Sequence, residues 1–206
     1  MSVVNRGILL LLFCALFFYS GQLVASPGPT EVLRPTLEGM IDIIQDPSLA
    51  GAENKMARRE KVMHLAGQGF NFTEMSKRAL GKTWRGLNQE QRDHFQMLFI
   101  KLLENAYIGK LEAYSGQKTI YRAERIKGNK AAVATVVESN DMAPFSVSYV
   151  MLNSGAGWQV YDLNIEGVSF LRNYREQFKS ILRKDKFVGL VKVLEDKNAT
   201  FNKEEK

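Results

Sequence analysis

The sequence predicts an α+β fold in which a four-stranded antiparallel sheet carries helices packed on one face. Apolar residues recur at helical spacing from 35 to about 114, and they alternate with polar residues from 119 to 163. Helical spacing returns from 170 onwards. An order of helices, strands and helices, with short turns between the strands, is typical of α+β domains.

Four helices are predicted in the first half, at residues 35–45, 55–69, 73–84 and 88–114. Pro35 suits the first turn of the first helix, because a proline there loses no helical hydrogen bond. Gly67 and Gly69 end the second helix. Asn88, with Gln91 three residues later, is the pair expected of a capping box at the start of the fourth helix.

The strands are predicted at residues 119–127, 130–139, 145–152 and 157–163. Their connections are short and rich in turn residues, so consecutive strands pair as an antiparallel meander. A turn through Gly167 then leads to a helix capped by Ser169. Helices are predicted at 170–184 and 186–196, followed by a charged and frayed tail.

The first 25 residues have the composition of a secretory signal peptide. Arg6 precedes twelve apolar residues from Ile8 to Tyr19, and small residues up to Ala25 suit cleavage there. The apolar run is shorter than the roughly 20 residues of a membrane span. We therefore expect a cleaved peptide at 1–25 and a single domain at 26–206. The only cysteine, Cys14, lies in the peptide, so the domain would contain no disulfide.

The chain is basic, with a formal net charge of +6. Inside a cell that charge would suggest nucleic acid as a partner. For an exported domain we expect no nucleic acid, and anionic lipid surfaces are the favoured partner. His64 and His94 lie on separate predicted helices without neighbouring ligands, so neither a metal site nor a cofactor is expected.

Bulky apolar side chains form rows on the predicted elements. On the third strand Phe145, Val147, Tyr149 and Met151 alternate with serines, which places the bulky side chains on one face. The next strand adds Trp158 and Val160 to this face. By pattern alone, such rows are typical of a solid core.

Two blocks of sequence give the rows another interpretation. The chain resembles the periplasmic phospholipid carriers of the Mla pathway, also called the toluene-tolerance family. The resemblance is carried by the segment from Trp158 to Phe178 and by the block from Phe72 to Arg85, which is followed by Gln89–Phe95. The resemblance covers roughly residues 34–197. It implies an α+β cone around an apolar lipid cavity, lined here by Phe95, Phe99, Leu103, Tyr107, Phe145, Val147, Tyr149, Trp158, Val160, Phe170, Tyr174 and Phe178.

The resemblance also implies a function without catalysis. The protein would be a monomeric carrier that shuttles single phospholipids through the periplasm and so maintains outer-membrane lipid asymmetry. Its implied partners are an inner-membrane ABC transporter complex and an outer-membrane lipoprotein–porin complex. The direction of transport, and a hopanoid-like ligand in place of phospholipid, stay open.

A basic row lies on the helix predicted at 170–184. Arg172, Lys179 and Arg183 fall nearly opposite its apolar stripe on a helical wheel. We expect this row to contact lipid headgroups or a partner protein, although solvated charge is the commoner reason for such a row.

Two other functions stay open. Cone-shaped α+β folds also host isomerases and dehydratases that move protons in an apolar pocket. Tyr149, Tyr161 and Asp162 would then be the catalytic candidates. A periplasmic adaptor that binds protein rather than lipid is the second alternative.

Overall fold

The computed structural model of the protein describes residues 26–112, 116–139 and 143–204. Its helices are α1 (Pro29–Gln45), α2 (Lys55–Gly69), α3 (Phe72–Leu80), α4 (Gln89–Glu112) and α5 (Phe170–Glu204). The predicted signal peptide and the predicted end of the fourth helix at 114 lie outside the described residues.

One antiparallel sheet contains all the strands of the described chain. In chain order, which is also their order in the sheet, these are β1 (Lys118–Lys127), β2 (Lys130–Glu138), β3 (Phe145–Asn153), β4 (Trp158–Ile165) and β5 (Val168–Ser169). The predicted class and meander are confirmed. The sheet has one strand more than predicted, because the turn at Glu166 and Gly167 returns two residues to pair with β4.

The register of the sheet confirms the predicted bulky face. Val147 and Met151 are buried, whereas Ser146 on the other side of the strand is exposed. Met151 pairs with Val160, so both side chains point to the same face. Two irregularities interrupt the pairing, one after Tyr121 in β1 and one opposite Val150 in β4. Such bulges bend a strand and re-aim the side chains beside them.

Helix α1 crosses the bulky face. Its fully buried Leu33 packs with Val133, Met151 and Val160 of the sheet. The start predicted at Pro35 is wrong, because the helix begins at Pro29. The backbone N–H of Thr30 in its first turn donates to the carboxylate of Glu124 on β1 at 2.7 Å. A negative side chain at a helix N-terminus stabilises that end.

Helix α3 is shorter than predicted. It ends at Leu80, and residues Gly81–Gly86 form a 3₁₀ turn instead of continuing the helix to Trp84. Gly81 has a φ of 58°, a left-handed conformation that glycine adopts without steric cost. The start of α4 is as predicted, since Asn88 and Gln91 exchange side-chain-to-backbone hydrogen bonds of 2.8 and 3.0 Å.

Helix α5 extends beyond the predicted end. A break occurs near the predicted position, at Lys186, whose φ of 61° is not helical. The segment after it continues to Glu204, so the frayed tail predicted after 196 is wrong. Asn198 is buried there and donates to the carbonyl of Leu98 in α4 at 3.0 Å. This hydrogen bond and the burial of Leu194 hold the segment against α4.

Candidate functional site

The residues predicted to line a cavity fall into two groups. The first, here called the aromatic cluster, lies between α4 and α5 and contains Phe95, Phe99, Leu103, Tyr107, Phe170, Tyr174 and Phe178. The second, here called the sheet-face group, lies on β3 and β4 and contains Phe145, Val147, Tyr149, Trp158 and Val160. The prediction that all of them contact one ligand stays a prediction.

The aromatic cluster is closely packed. Phe99 lies 5.7 Å from Phe95, 5.5 Å from Phe178 and 5.4 Å from Tyr174, measured between ring centroids. These are the distances and the mostly edge-to-face arrangements that aromatic pairs prefer. Phe95 is fully buried. Burial, and second the neighbouring Tyr107, raise the pKa of Tyr174.

The sheet-face group is packed less evenly. Val160 is 0% exposed and Trp158 is 8% exposed, and both pack under α1. Tyr149 and Phe145 are only half-buried. Val147, next to them on the same face, is 7% exposed. Phe145 and Tyr149 therefore offer apolar area that the described helices cover only in part, beside the buried Val147.

The two groups contact opposite faces of β3. Met151 packs with the sheet-face group, whereas Val150 and Leu152, which alternate with it, pack against the larger buried cluster that includes the aromatic cluster. The structure thus adds to the predicted fold, since helices reach both faces of the sheet near β4. Phe70 touches both clusters of buried residues and joins them.

A polar pair borders the sheet-face group at β1. The guanidinium carbon of Arg34 on α1 lies 3.9 Å above the ring centroid of Tyr121. Burial, and second the Glu38 carboxylate, raise the pKa of Tyr121, while Arg34 acts against that shift. The residue pattern of the sequence does not single out Arg34 and Tyr121 as a pair. The bulge beside Tyr121, which helps to bring the two side chains together, has no signature in the sequence.

Two of the three catalytic candidates, Asp162 and Tyr161, make structural contacts. Asp162 accepts hydrogen bonds from the backbone N–H of Leu171 at 2.9 Å and from the hydroxyl of Ser169 at 2.6 Å. Its carboxylate therefore holds the first turn of α5 on β4. Ser169 in turn accepts from the N–H of Arg172 at 3.0 Å, which confirms the predicted cap. Tyr161 is buried beneath the guanidinium of Arg78 at 4.1 Å.

Two open clefts lie along α1. One, of about 600 Å³, is lined by Ile43, Ala57, Glu60, Lys61, His64 and Leu65. The other, of about 450 Å³, is lined by Asp42, Ile43, Gln45, Asp46 and Pro47. No residue predicted to bind lipid lines either cleft.

The basic row of α5 faces solvent. Arg172, Lys179 and Arg183 are exposed, as the helical wheel predicts. Lys179 forms an ion pair of 3.5 Å with Glu176, in which both side chains are more than half exposed. Such a pair contributes little to stability. A role of this row in docking stays a prediction.

Among the described residues, no three His, Cys, Asp or Glu side chains come together in a group that could hold a metal ion. Nor does that part of the chain contain a helix long and apolar enough to cross a membrane.

Known proteins resemble the chain in sequence and in structure. It is 25% identical to the toluene tolerance protein Ttg2D of Pseudomonas putida over 89% of this chain and 85% of the relative. It is 28% identical to the intermembrane phospholipid transport system binding protein MlaC of Haemophilus influenzae over 55% of this chain and 56% of the relative.

The fold is similar to that of a phospholipid-binding protein from Ralstonia solanacearum, which was solved in complex with a phospholipid. The TM-score is 0.75 at 26% identity, and the match covers 85% of this chain and 99% of the other. A model of the MlaC protein family matches residues 35–196. The resemblance predicted from the two sequence blocks is confirmed, and the chain belongs to the MlaC family.

Proposed function

We propose that the protein is a periplasmic phospholipid carrier of the Mla system and not an enzyme. The observation that carries this proposal is the likeness to the Ralstonia solanacearum protein, whose structure contains a bound phospholipid. The likeness extends over 85% of this chain and 99% of the other. The hydrogen bonds of Asp162 to Ser169 and Leu171 support a structural role for the group that an enzyme would need.

A carrier answers a definite physical need. Moving an apolar chain into water costs about 0.8 kcal/mol per CH₂ group, so two tails of about 16 carbons face a barrier on the order of 20 kcal/mol. A protein that shields the tails removes most of this barrier. Since the lipid leaves one apolar medium for another, the affinity of the carrier need only be comparable with that of the bilayer.

We place the tails against the sheet-face group rather than within the aromatic cluster. Rings that already contact one another at 5.4–5.8 Å would have to separate to admit a tail. Half-buried Phe145 and Tyr149, beside Val147, instead provide apolar area at the border of the α1 contact. In this proposal the aromatic cluster supports α5 and the sheet, and the sheet-face group contacts the ligand.

The partners follow from the family and are part of the proposal. The carrier would exchange lipid with an inner-membrane ABC transporter complex and an outer-membrane lipoprotein–porin complex, after export directed by residues 1–25. The basic row of α5 is a candidate contact, because its exposed charges can meet an anionic surface or an acidic partner.

Native mass spectrometry of the mature protein, purified without detergent, tests the function. We expect one phospholipid per chain, released by organic solvent and identified by its fragments. A bare polypeptide in repeated preparations would contradict the carrier function, and a co-purified hopanoid-like lipid would change the ligand class. Sequencing the mature N-terminus in the same samples checks cleavage after Ala25.

A further inference from the structure

Tyr121 carries a buried hydroxyl group without a partner. Its oxygen is shielded from solvent, and no donor or acceptor of the described residues lies within hydrogen-bond distance. Native structures retain few such groups, and each one calls for an explanation. The ring itself is well placed, because it packs against the buried residues of the sheet under α1.

The position of Tyr121 connects it to the proposed lipid site. Tyr121 pairs with Thr135 on β2, and Thr135 pairs with Val147 on β3. Cross-strand partners share a face, so the Tyr121 ring lies on the same face as Val147. A bulge follows directly after Tyr121. Bulges bend a strand and change the direction of the side chains beside them.

Arg34 supplies a positive charge at the same place. Its guanidinium covers the Tyr121 ring at 3.9 Å, and its ion pair with Glu38 is 3.6 Å long and about half exposed on both sides. An exposed pair of this kind opens easily. A guanidinium matches the geometry of a phosphate group, to which it can donate two parallel hydrogen bonds.

We propose that Arg34 and Tyr121 bind the phosphate of the lipid headgroup, a proposal that rests on the proposed carrier function. The guanidinium of Arg34 donates to one side of the phosphate, and the Tyr121 hydroxyl donates to an oxygen at the buried side. The tails then continue along the sheet face past Val147. A tyrosine hydroxyl holds its proton at neutral pH and can therefore donate it in a hydrogen bond.

Glu38 has a competing role in this arrangement. Its carboxylate pairs with Arg34 when no phosphate is present, and it lies close enough to Tyr121 to influence that residue. Phosphate and carboxylate therefore compete for one guanidinium. Removal of the carboxylate should strengthen phospholipid binding, whereas removal of either donor should weaken it.

Tyr121→Phe is the sharpest test, since it keeps the ring and its contact with Arg34 and removes only the hydroxyl. Delipidated protein is titrated with a phospholipid and with a diacylglycerol that has the same tails. We expect the variant to bind the phospholipid about tenfold more weakly, the effect of one hydrogen bond to a charged group, and the diacylglycerol as well as wild type does. Equal effects on both lipids, or no effect, would overturn the proposal.

Further binding measurements distinguish a headgroup site from a free-anion site and from the absence of lipid binding. Arg34→Gln should weaken only phospholipid binding, and Glu38→Gln should strengthen it; the opposite sign for either would count against the phosphate site. Inorganic phosphate that binds as tightly as phospholipid would assign the site to the free anion and overturn the headgroup assignment. Wild-type protein that binds neither lipid would instead refute the proposed function, a result distinct from these.

Discussion

The aromatic cluster and the sheet-face group have similar composition but different packing. In the aromatic cluster, Phe95, Phe99 and Phe178 contact one another at ring distances of 5.5–5.8 Å. On the sheet face, Val160 is completely buried, while Tyr149 and Phe145 are only half-buried. The first arrangement is that of a solid core, and the second combines a core with a partly covered apolar surface.

The difference shows that apolar rows alone do not identify a binding surface. Both groups are rich in bulky residues at the correct spacing, so both were equally good candidates in sequence. The two groups differ in how completely their side chains are buried by other residues. A lipid tail gains most where apolar area is still uncovered, since the gain is proportional to area removed from water.

Truncation inside the aromatic cluster should have the largest effect on stability. Phe95→Ala removes a ring that is 0% exposed, and we expect a loss of about 3–5 kcal/mol in the free energy of unfolding. Met97→Ala on the same helix is the matched control, because Met97 is 58% exposed and should cost little. Denaturant titration measures both. A Phe95→Ala cost as small as that of the control would show that the cluster is loosely packed.

Asp162 joins β4 to the start of α5, so its replacement should reduce stability less than Phe95→Ala does. Asp162→Ala removes the acceptor of the Leu171 N–H and of the Ser169 hydroxyl, which should cost about 1–3 kcal/mol. Asp162→Asn keeps one acceptor oxygen and should cost less. Thermal unfolding and lipid content are measured together. If Asp162→Ala kept its stability but lost an isomerase or dehydratase activity that the wild type has, the enzyme alternative would be favoured.

Charge reversal on the basic row should leave stability nearly unchanged. Arg172→Glu with Lys179→Glu should slow lipid exchange with anionic vesicles, and the wild-type rate should fall with salt, because exposed charges are screened beyond about 10 Å at 0.1 M ionic strength. Lys192→Glu with Lys197→Glu on the later part of α5 is the control of equal charge. Equal rates in the two double variants would show that the row is not a specific contact.

The sequence was sufficient for elements whose signals are local. The capping pair at Asn88, the Ser169 cap and the alternation of β3 all depend on neighbouring residues, and all three were predicted. The start of α1 was missed although its signals are local, since Pro29 occupies the first helical position and the Glu31 carboxylate accepts from the backbone N–H of Gly28 at 2.9 Å. The end of α5 was missed for a different reason, since Asn198 is held by Leu98 of another helix.

The candidate site was predictable only as a list of residue types. Periodicity gives the face of each element, but not which faces meet, so the lipid-binding list joined residues that contact opposite faces of β3. The pair of Arg34 and Tyr121 needed the bulge in β1, whose extra residue carries no distinctive composition. Residue spacing therefore leaves open which residues form the site, and contacts between distant parts of the chain decide it.

In the proposed carrier, lipid tails lie against the sheet face and not in the aromatic cluster. Native mass spectrometry of Val147→Trp and Phe99→Leu tests this placement most directly, with thermal unfolding of both. Because Val147 is 7% exposed, we expect Val147→Trp to lose about 1–3 kcal/mol of stability, yet to stay folded and carry no phospholipid. Phe99→Leu should melt lower than wild type and keep its lipid. Lipid retained by Val147→Trp and lost from folded Phe99→Leu would contradict this placement.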